Sequence, residues 1–319
     1  LSRRRFGRLA GSLELLYAGV PLIRSGGEFD VAHAHFAPNG IHAAALREAR
    51  LHAGKVVTTF HDYGLTTYLR KWGPHVYDQL FATGDLFLAI SHYARERMIG
   101  LGCPPAKVRV HRMGVDCTRF AERPERTDDG PARILSVGRL VEKKGIEFAL
   151  RAVAELKRRG VACDYRVVGD GPLRAELNAL VSELDVRDRV QLLGGQTQDR
   201  VAELLRETDI FLAPSVTAAN GDEEGIPVVL MEALATGLPV VTTRHGAIPE
   251  LVEHDKCGLL ADERDVETLA EHLATLIADP GCQRTMGQAG RARVEQEFNL
   301  ARLNAELERS FQQLVAGEA

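Results

Sequence analysis

Two carboxylates, Glu224 and Glu232, bracket the otherwise apolar stretch EGIPVVLME at residues 224–232. Most charged side chains are simply solvated, and a loop acid followed by an acid on the wet face of a helix would account for the pair. The local pattern offers a sharper reading. Pro227 suits the first turn of a helix, where a missing N–H is harmless, and Gly237 suits the residue just past the end. Glu224 then lies in the loop before that helix and Glu232 inside it. The amides of Ile226 and Val228 fall at the helix start, a ready place for anionic oxygens. Near-helical spacing puts the two acids roughly 10–12 Å apart, about the distance from sugar to ribose in a nucleotide sugar. Upstream, GRLVEKKG at 138–145 places Arg139, Lys143 and Lys144 between two glycines. Arg139 and one lysine supply two cations whose natural complement is a diphosphate, although an ordinary charged loop would look the same.

Other loops carry weaker signals. GDGPL at 169–173 is a G-x-G after a strand, but Arg174 leaves the dinucleotide fingerprint incomplete. In RHGAIPEL, Gly246 and Pro249 either bring backbone near the same crevice or make a plain turn. In the first part of the chain, TTFHDYG puts His61 and Asp62 just past a strand end, on the side of a cleft. VAHAHFAPNG points His33 and His35 to one side, with Asn39 and Gly40 as a turn or cap. A histidine after a strand also serves structure alone.

The elements that must position these residues alternate along the chain. Apolar, β-branched runs at 29–36, 54–60, 85–90 and 107–113 read as strands, with helices at 39–51 and 91–102. A Pro-, Gly- and charge-rich stretch at 121–132 reads as a hinge. A second strand series follows at 133–140, 164–170, 189–195, 209–215 and 238–243, with helices at 147–160, 173–184, 199–208 and 227–237 and an amphipathic helix near 300–315. This is an α/β pattern of two Rossmann-like doubly wound domains facing across a cleft. The expected division is 1–122, 123–299 and a closing helix at 300–319 able to cross back to the first domain.

The 319 residues are 45% hydrophobic and 26% charged, an ordinary globular composition. A net charge of −4 and a pI near 6.3 argue against nucleic-acid binding through the overall field. Residues 1–120 carry 16 Lys/Arg against 9 Asp/Glu, which together with the opening LSRRRFGR suggests a first domain turned toward an anionic membrane surface or a phosphorylated substrate. The five cysteines lie far apart and no His, Cys or acid spacing suggests a metal. No stretch is long and apolar enough to span a bilayer, so a cytoplasmic chain, peripheral on the inner face of the cytoplasmic membrane, is expected. The chain starts at Leu1 where a complete protein would show Met.

Taken together, GRLVEKKG, GDGPL, LAPS, EGIPVVLMEALATGLPVV, HGAIPELV and GLL resemble, in order, the retaining GT-B glycosyltransferases with an E-x7-E signature, the group 1 or family 4 type. HAHFAPNG, TTFHDYG, ISHYARERMIGLGCP and HRMGVD look most like bacterial enzymes of exopolysaccharide and colanic-acid assembly. The resemblance implies a metal-independent hexosyltransferase with no cofactor, moving sugar from a UDP- or GDP-sugar to a growing, lipid-linked oligosaccharide or other glycan. It implies that Arg139 and Lys144 bind the donor diphosphate, that Glu232 takes the ribose hydroxyls and that Glu224 faces the donor sugar. Backbone of Gly225, Ile226, Pro227 and Val228 would hold sugar and phosphate, Leu193 and Gly194 would lie near the base, and His61 near the anomeric centre. Members begin with a strand and glycine-rich loop absent before LSRRRFGRLAG, so the first domain is expected to lack its N-terminal β-α segment. A nucleotide-sugar epimerase of the same architecture and an inactive nucleotide-binding fragment are the alternative readings.

Overall fold

A computed structural model describes residues 9, 14–25, 29–124, 126 and 130–318. The basic opening LSRRRFGR and part of the expected hinge lie outside the described residues. The chain divides into two compact units, Leu1–Arg112 with Asn304–Ala319 and Met113–Leu303. The chain thus enters the second unit ten residues before the expected boundary at 122/123. The reason is local: Val115 N donates to Phe298 O at 2.9 Å, Leu300 N donates to Val115 O at 3.1 Å, and the Phe120 side chain is buried in the second core.

The first unit holds four parallel strands in the order of the sequence, β1 (Val31–His35), β2 (Lys55–Phe60), β3 (Leu86–Ala89) and β4 (Val108–Val110). Helices α1 (Glu14–Ser25) and α2 (Ala37–Glu48) come first, and β2 and β3 are joined by three short helices, α3 (Asp62–Leu65), α4 (Thr67–Trp72) and α5 (Asp78–Thr83). The helix α6 (His92–Gly100) follows β3, with Ser91 Oγ accepting from Ala94 N at 3.0 Å as its cap. Strand alternation sorts the core. Leu86 and Leu88 pack with Val57 and with Leu314. Phe87, between them, turns to Phe60 and Phe81, and Tyr77 stands over Phe60. Asn39 and Gly40 form no turn; they lie in the first turn of α2, where Asn39 Nδ2 donates to His35 O at 2.8 Å. A Cβ at Gly40 would meet Thr58 Oγ1 at 2.4 Å, so glycine lets α2 press on β2.

The second unit holds β5 (Ala132–Val137), β6 (Cys163–Val168), β7 (Val190–Gly194), β8 (Ile210–Ala213), β9 (Val240–Thr243) and β10 (Gly258–Ala261), all parallel, ordered β10-β9-β8-β5-β6-β7. Chain order reverses between β5 and β8, which is where an open α/β sheet binds its ligand. Helices α7 (Ile146–Arg158), α8 (Arg174–Glu183), α9 (Gln198–Arg206), α10 (Val228–Ala235), α11 (Val266–Ala278), α12 (Pro280–Glu297) and α13 (Leu300–Ala316) complete the order. Successive residues of one strand serve two cores, one on each face. Ile134, Ile210, Leu212, Val241 and Leu259 join the core under α7 and α11, while Leu135, Phe211, Val240 and Leu260 join that under α10. At the amino ends of the strands, Arg123, Arg126 and Arg133 converge on Asp209, which is 3% exposed, beside a cavity of about 770 Å³. No described helix is long and apolar enough to cross a membrane.

Candidate active site

The loops after β5 and β8 leave the sheet side by side at the reversal, and their backbones interlock. Val216 N donates to Lys143 O at 3.0 Å, and Ala219 N to Glu142 Oε1 at 2.8 Å. Gly145 sits at φ 63°, and a Cβ there would fall 1.8 Å from Pro214 O, so only glycine permits this approach. Between β5 and β6 the same device recurs: a Cβ on Gly169, at φ 142°, would lie 1.8 Å from Gly138 O. Gly169 N in turn donates to Gly194 O at 2.9 Å, so three strand ends share one floor.

Glu224 stands where these loops meet and is 9% exposed. Lys144 Nζ lies 2.6 Å from its Oε2 and Lys143 Nζ 3.3 Å from its Oε1. Lys143 also reaches Asp222 at 3.1 Å and donates to Glu223 O at 3.2 Å. Burial alone would raise the Glu224 carboxyl; the two lysines outweigh it and hold the group below the usual range. Burial likewise opposes the charge on Lys143, but Glu224 and Asp222 raise its affinity for the proton. The lysine pair therefore acts as one clamp, of which the sequence reading used only Lys144.

Glu232 is not on a wet face. It is 7% exposed, inside α10, and burial pushes its carboxyl above the usual range against the pull of Arg119 and a hydrogen bond from Gln198. Arg119 itself is tied to Gln198 Oε1 at 2.8 Å and Asp199 Oδ1 at 2.7 Å. Pro227 caps α10 in an extended conformation, φ −60° and ψ 127°, instead of opening its first turn. Gly237, at φ 77°, closes the helix as expected. Val228 is exposed at the helix start, so the apolar run is not one buried face. Ile226 is buried, and Gly225 and Ile226 form the link from Glu224 to the cap.

Arg139 follows β5, exposed, with no ion pair to any described residue, and it is not drawn to Glu224. Leu193 and Gly194 end β7; Gly194 is buried at φ 74°, 3.0 Å from Arg174 for an added Cβ. His245 and Glu263, which sequence reasoning passed over, complete the floor together with Gly246. His245, 1% exposed, accepts the Glu224 N–H at Nε2, 2.9 Å away, and its Nδ1 meets Glu263 Oε1 at 2.6 Å. Gly246, at φ 50°, lets the turn touch the Glu224 backbone, since a Cβ would lie 2.2 Å from Glu224 O. That part of RHGAIPEL is close backbone approach, the signal already visible in its glycine.

In the first unit His61 follows β2. Its Nε2 lies 3.1 Å from His35 Nδ1, the Phe36 ring centre lies 4.5 Å away, and His33 Nε2 reaches Thr59 Oγ1 at 2.8 Å. Burial first, then His35, pushes His61 down to about 4, and burial with His35, His111 and His61 takes His33 to about 4. Phe36 holds φ 70°, a strained value for a bulky residue. Asp62 opens α3. No group of three metal-ligating side chains occurs among the described residues.

Two α/β units of parallel strands, the second doubly wound with an acid clamped at its reversal, match the GT-B fold of glycosyltransferases, as comparison with known proteins shows. Glycosyl transferases group 1 matches residues 118–293 and Glycosyltransferase Family 4 matches residues 3–119. The chain belongs to the glycosyl transferases group 1 family. It is 42% identical to a candidate colanic acid biosynthesis glycosyltransferase, WcaL of Escherichia coli, over 98% of this chain and 78% of that protein. To the amylovoran biosynthesis glycosyltransferase AmsK of Erwinia amylovora it is 40% identical over 92% and 72%. HepE of Anabaena, solved in complex with UDP and glucose, shares the fold with a TM-score of 0.80 at 22% identity, over 95% of this chain and 83% of that one.

Proposed function

We propose that the chain is a retaining hexosyltransferase that takes sugar from a UDP- or GDP-sugar and adds it to a growing, lipid-linked exopolysaccharide or other cell-surface glycan. The observation that carries the reading is the buried Glu224 carboxylate, held between Lys143 and Lys144 at the strand-order reversal. The relatives named for colanic acid and amylovoran biosynthesis support the exopolysaccharide acceptor, and the UDP-bound fold relative supports the nucleotide donor.

In this reading Glu224 faces the donor sugar and Lys144 with Arg139 takes the diphosphate. Gly225, Ile226, Pro227 and Val228 supply backbone groups to sugar and phosphate. The first amides of α10, unpaired within the helix, aim at the same negative charge. Glu232 takes ribose hydroxyls, Leu193 and Gly194 lie by the base, and His61 stands near the anomeric centre. Lysine, arginine and amide groups would stabilise the departing diphosphate without a metal. Front-face attack, with the leaving phosphate accepting the acceptor proton, retains stereochemistry. Peripheral attachment to the inner face of the cytoplasmic membrane would bring a lipid-linked acceptor to the enzyme.

A donor screen on the full-length gene product with a lipid-linked acceptor, read by mass spectrometry, tests this. Sugar transfer from one UDP- or GDP-sugar is expected; conversion of the donor without acceptor into an isomeric nucleotide sugar would establish an epimerase instead.

A further inference from the structure

Behind Glu224 lies a second set of contacts, centred on a buried imidazole, that meets the Glu224 backbone and holds no other residue assigned to the substrate. Three adjacent strands supply it: the Glu224 loop follows β8, His245 follows β9 and Glu263 follows β10. Glu263 accepts from Thr217 N at 2.8 Å, stands 3.1 Å from Thr217 Oγ1, and meets His245 Nδ1 at 2.6 Å. Burial would raise the Glu263 carboxyl, but these hydrogen bonds hold it low, so it is an acceptor only. His245 must therefore carry its proton on Nδ1, which leaves Nε2 as the acceptor for the Glu224 N–H at 2.9 Å. Gly246 sets the imidazole's loop directly on the Glu224 carbonyl. A buried imidazole with both nitrogens engaged fixes the height and rotation of the residue whose carboxylate the lysines clamp.

We propose that His245, with its tautomer set by Glu263, is a positioning residue for glycosyl transfer, holding the Glu224 backbone so that the carboxylate stays between Lys143 and Lys144. This rests on the reading that Glu224 faces the donor sugar. The ring makes no contact with the groups assigned to the nucleotide, so its effect belongs to turnover and not to nucleotide affinity.

The test uses the full-length gene product with UDP-glucose and GDP-mannose as donor probes, turnover being read by mass spectrometry and UDP or GDP affinity by calorimetry. His245→Leu, similar in bulk but unable to accept, is expected to lower kcat about tenfold, the size of one lost buried hydrogen bond, with donor KM and nucleotide Kd unchanged within about threefold. His245→Gln, whose Oε1 takes the place of Nε2, is expected to recover most of kcat. Glu263→Ala, at a partly exposed position, gives a second route if His245→Leu does not fold, with a smaller loss confined to kcat. Unchanged kcat in a folded His245→Leu, a loss confined to KM or Kd, or no recovery by His245→Gln overturns the proposal while loss of turnover in Glu224→Ala leaves the Glu224 reading standing. Full turnover by Glu224→Ala would instead remove that reading and the proposal together.

Discussion

At the end of β8 an acid sits between two lysines; at the end of β2 a histidine sits among other histidines and a phenylalanine ring. Both positions lie just beyond the carboxyl end of a parallel strand, and burial works against the charged form of both, yet their neighbours act in opposite ways. Glu224 keeps its charge because two cations share its pocket. His61 is held neutral first by burial, and its neighbour His35, which would carry the same sign, adds to that effect instead of opposing it. The comparison teaches that place in the fold makes a site accessible, while the immediate neighbours decide whether it is ionic or neutral. Under the proposed function, the lysines of the first would stabilise the charge of the leaving group, and the second would act through neutral hydrogen bonding.

The comparison breaks most sharply at Glu224. Glu224→Ala is expected to lower transfer by about 100-fold or more while UDP or GDP binding changes only a few-fold, as measured by steady-state kinetics and calorimetry. Glu232→Ala should show the opposite pattern, with nucleotide Kd weaker by about tenfold and kcat largely kept. Gly246→Ala, which forces a Cβ toward Glu224 O from a left-handed backbone, should cost about 1–3 kcal/mol and lower the Tm by several degrees. The smallest effect sharpens the neutral side. Folded His33 and His61 titrate near 4 against an ordinary 6.5, so as pH falls the unfolded chain takes up protons first. Stability is therefore lost between about pH 6.5 and 4, and His33→Gln should reduce the fall in Tm over that window. A kcat profile that is flat through pH 6.5 would accord with a neutral His61.

Much of the strand placement could be read from sequence because β-branched runs in parallel sheets are apolar on both faces: seven of the observed strands fall within expected runs, and β5 and β6 each begin one residue earlier. The tenth, β10, is GLLA, a stretch without a β-branched residue set between charged segments, so no strand run stood out there. The short helices α3 to α5 run for only 4, 6 and 6 residues, less than two turns each, so periodicity could not reveal them. The choice of Lys144 came from the family resemblance, but at the site Glu224, one lysine of GRLVEKKG and Gly246 were visible through local chemistry. The pairing of His245 with Glu263 was not, because it depends on β9 and β10 lying side by side. The early entry into the second unit was hidden for the same reason, since Val115 meets Phe298 and Asn299 only after folding. Pro227 was assigned to the wrong side of the helix start because proline tolerates both positions.

Hydrogen exchange of the full-length protein with and without UDP or GDP tests most directly whether the strand ends of the second unit hold the donor. The account expects one nucleotide to slow exchange in 138–145, 193–195 and 224–232, and to leave 31–36 and 58–64 unchanged. Protection confined to the first unit, or none from either nucleotide at saturating concentration, would contradict it.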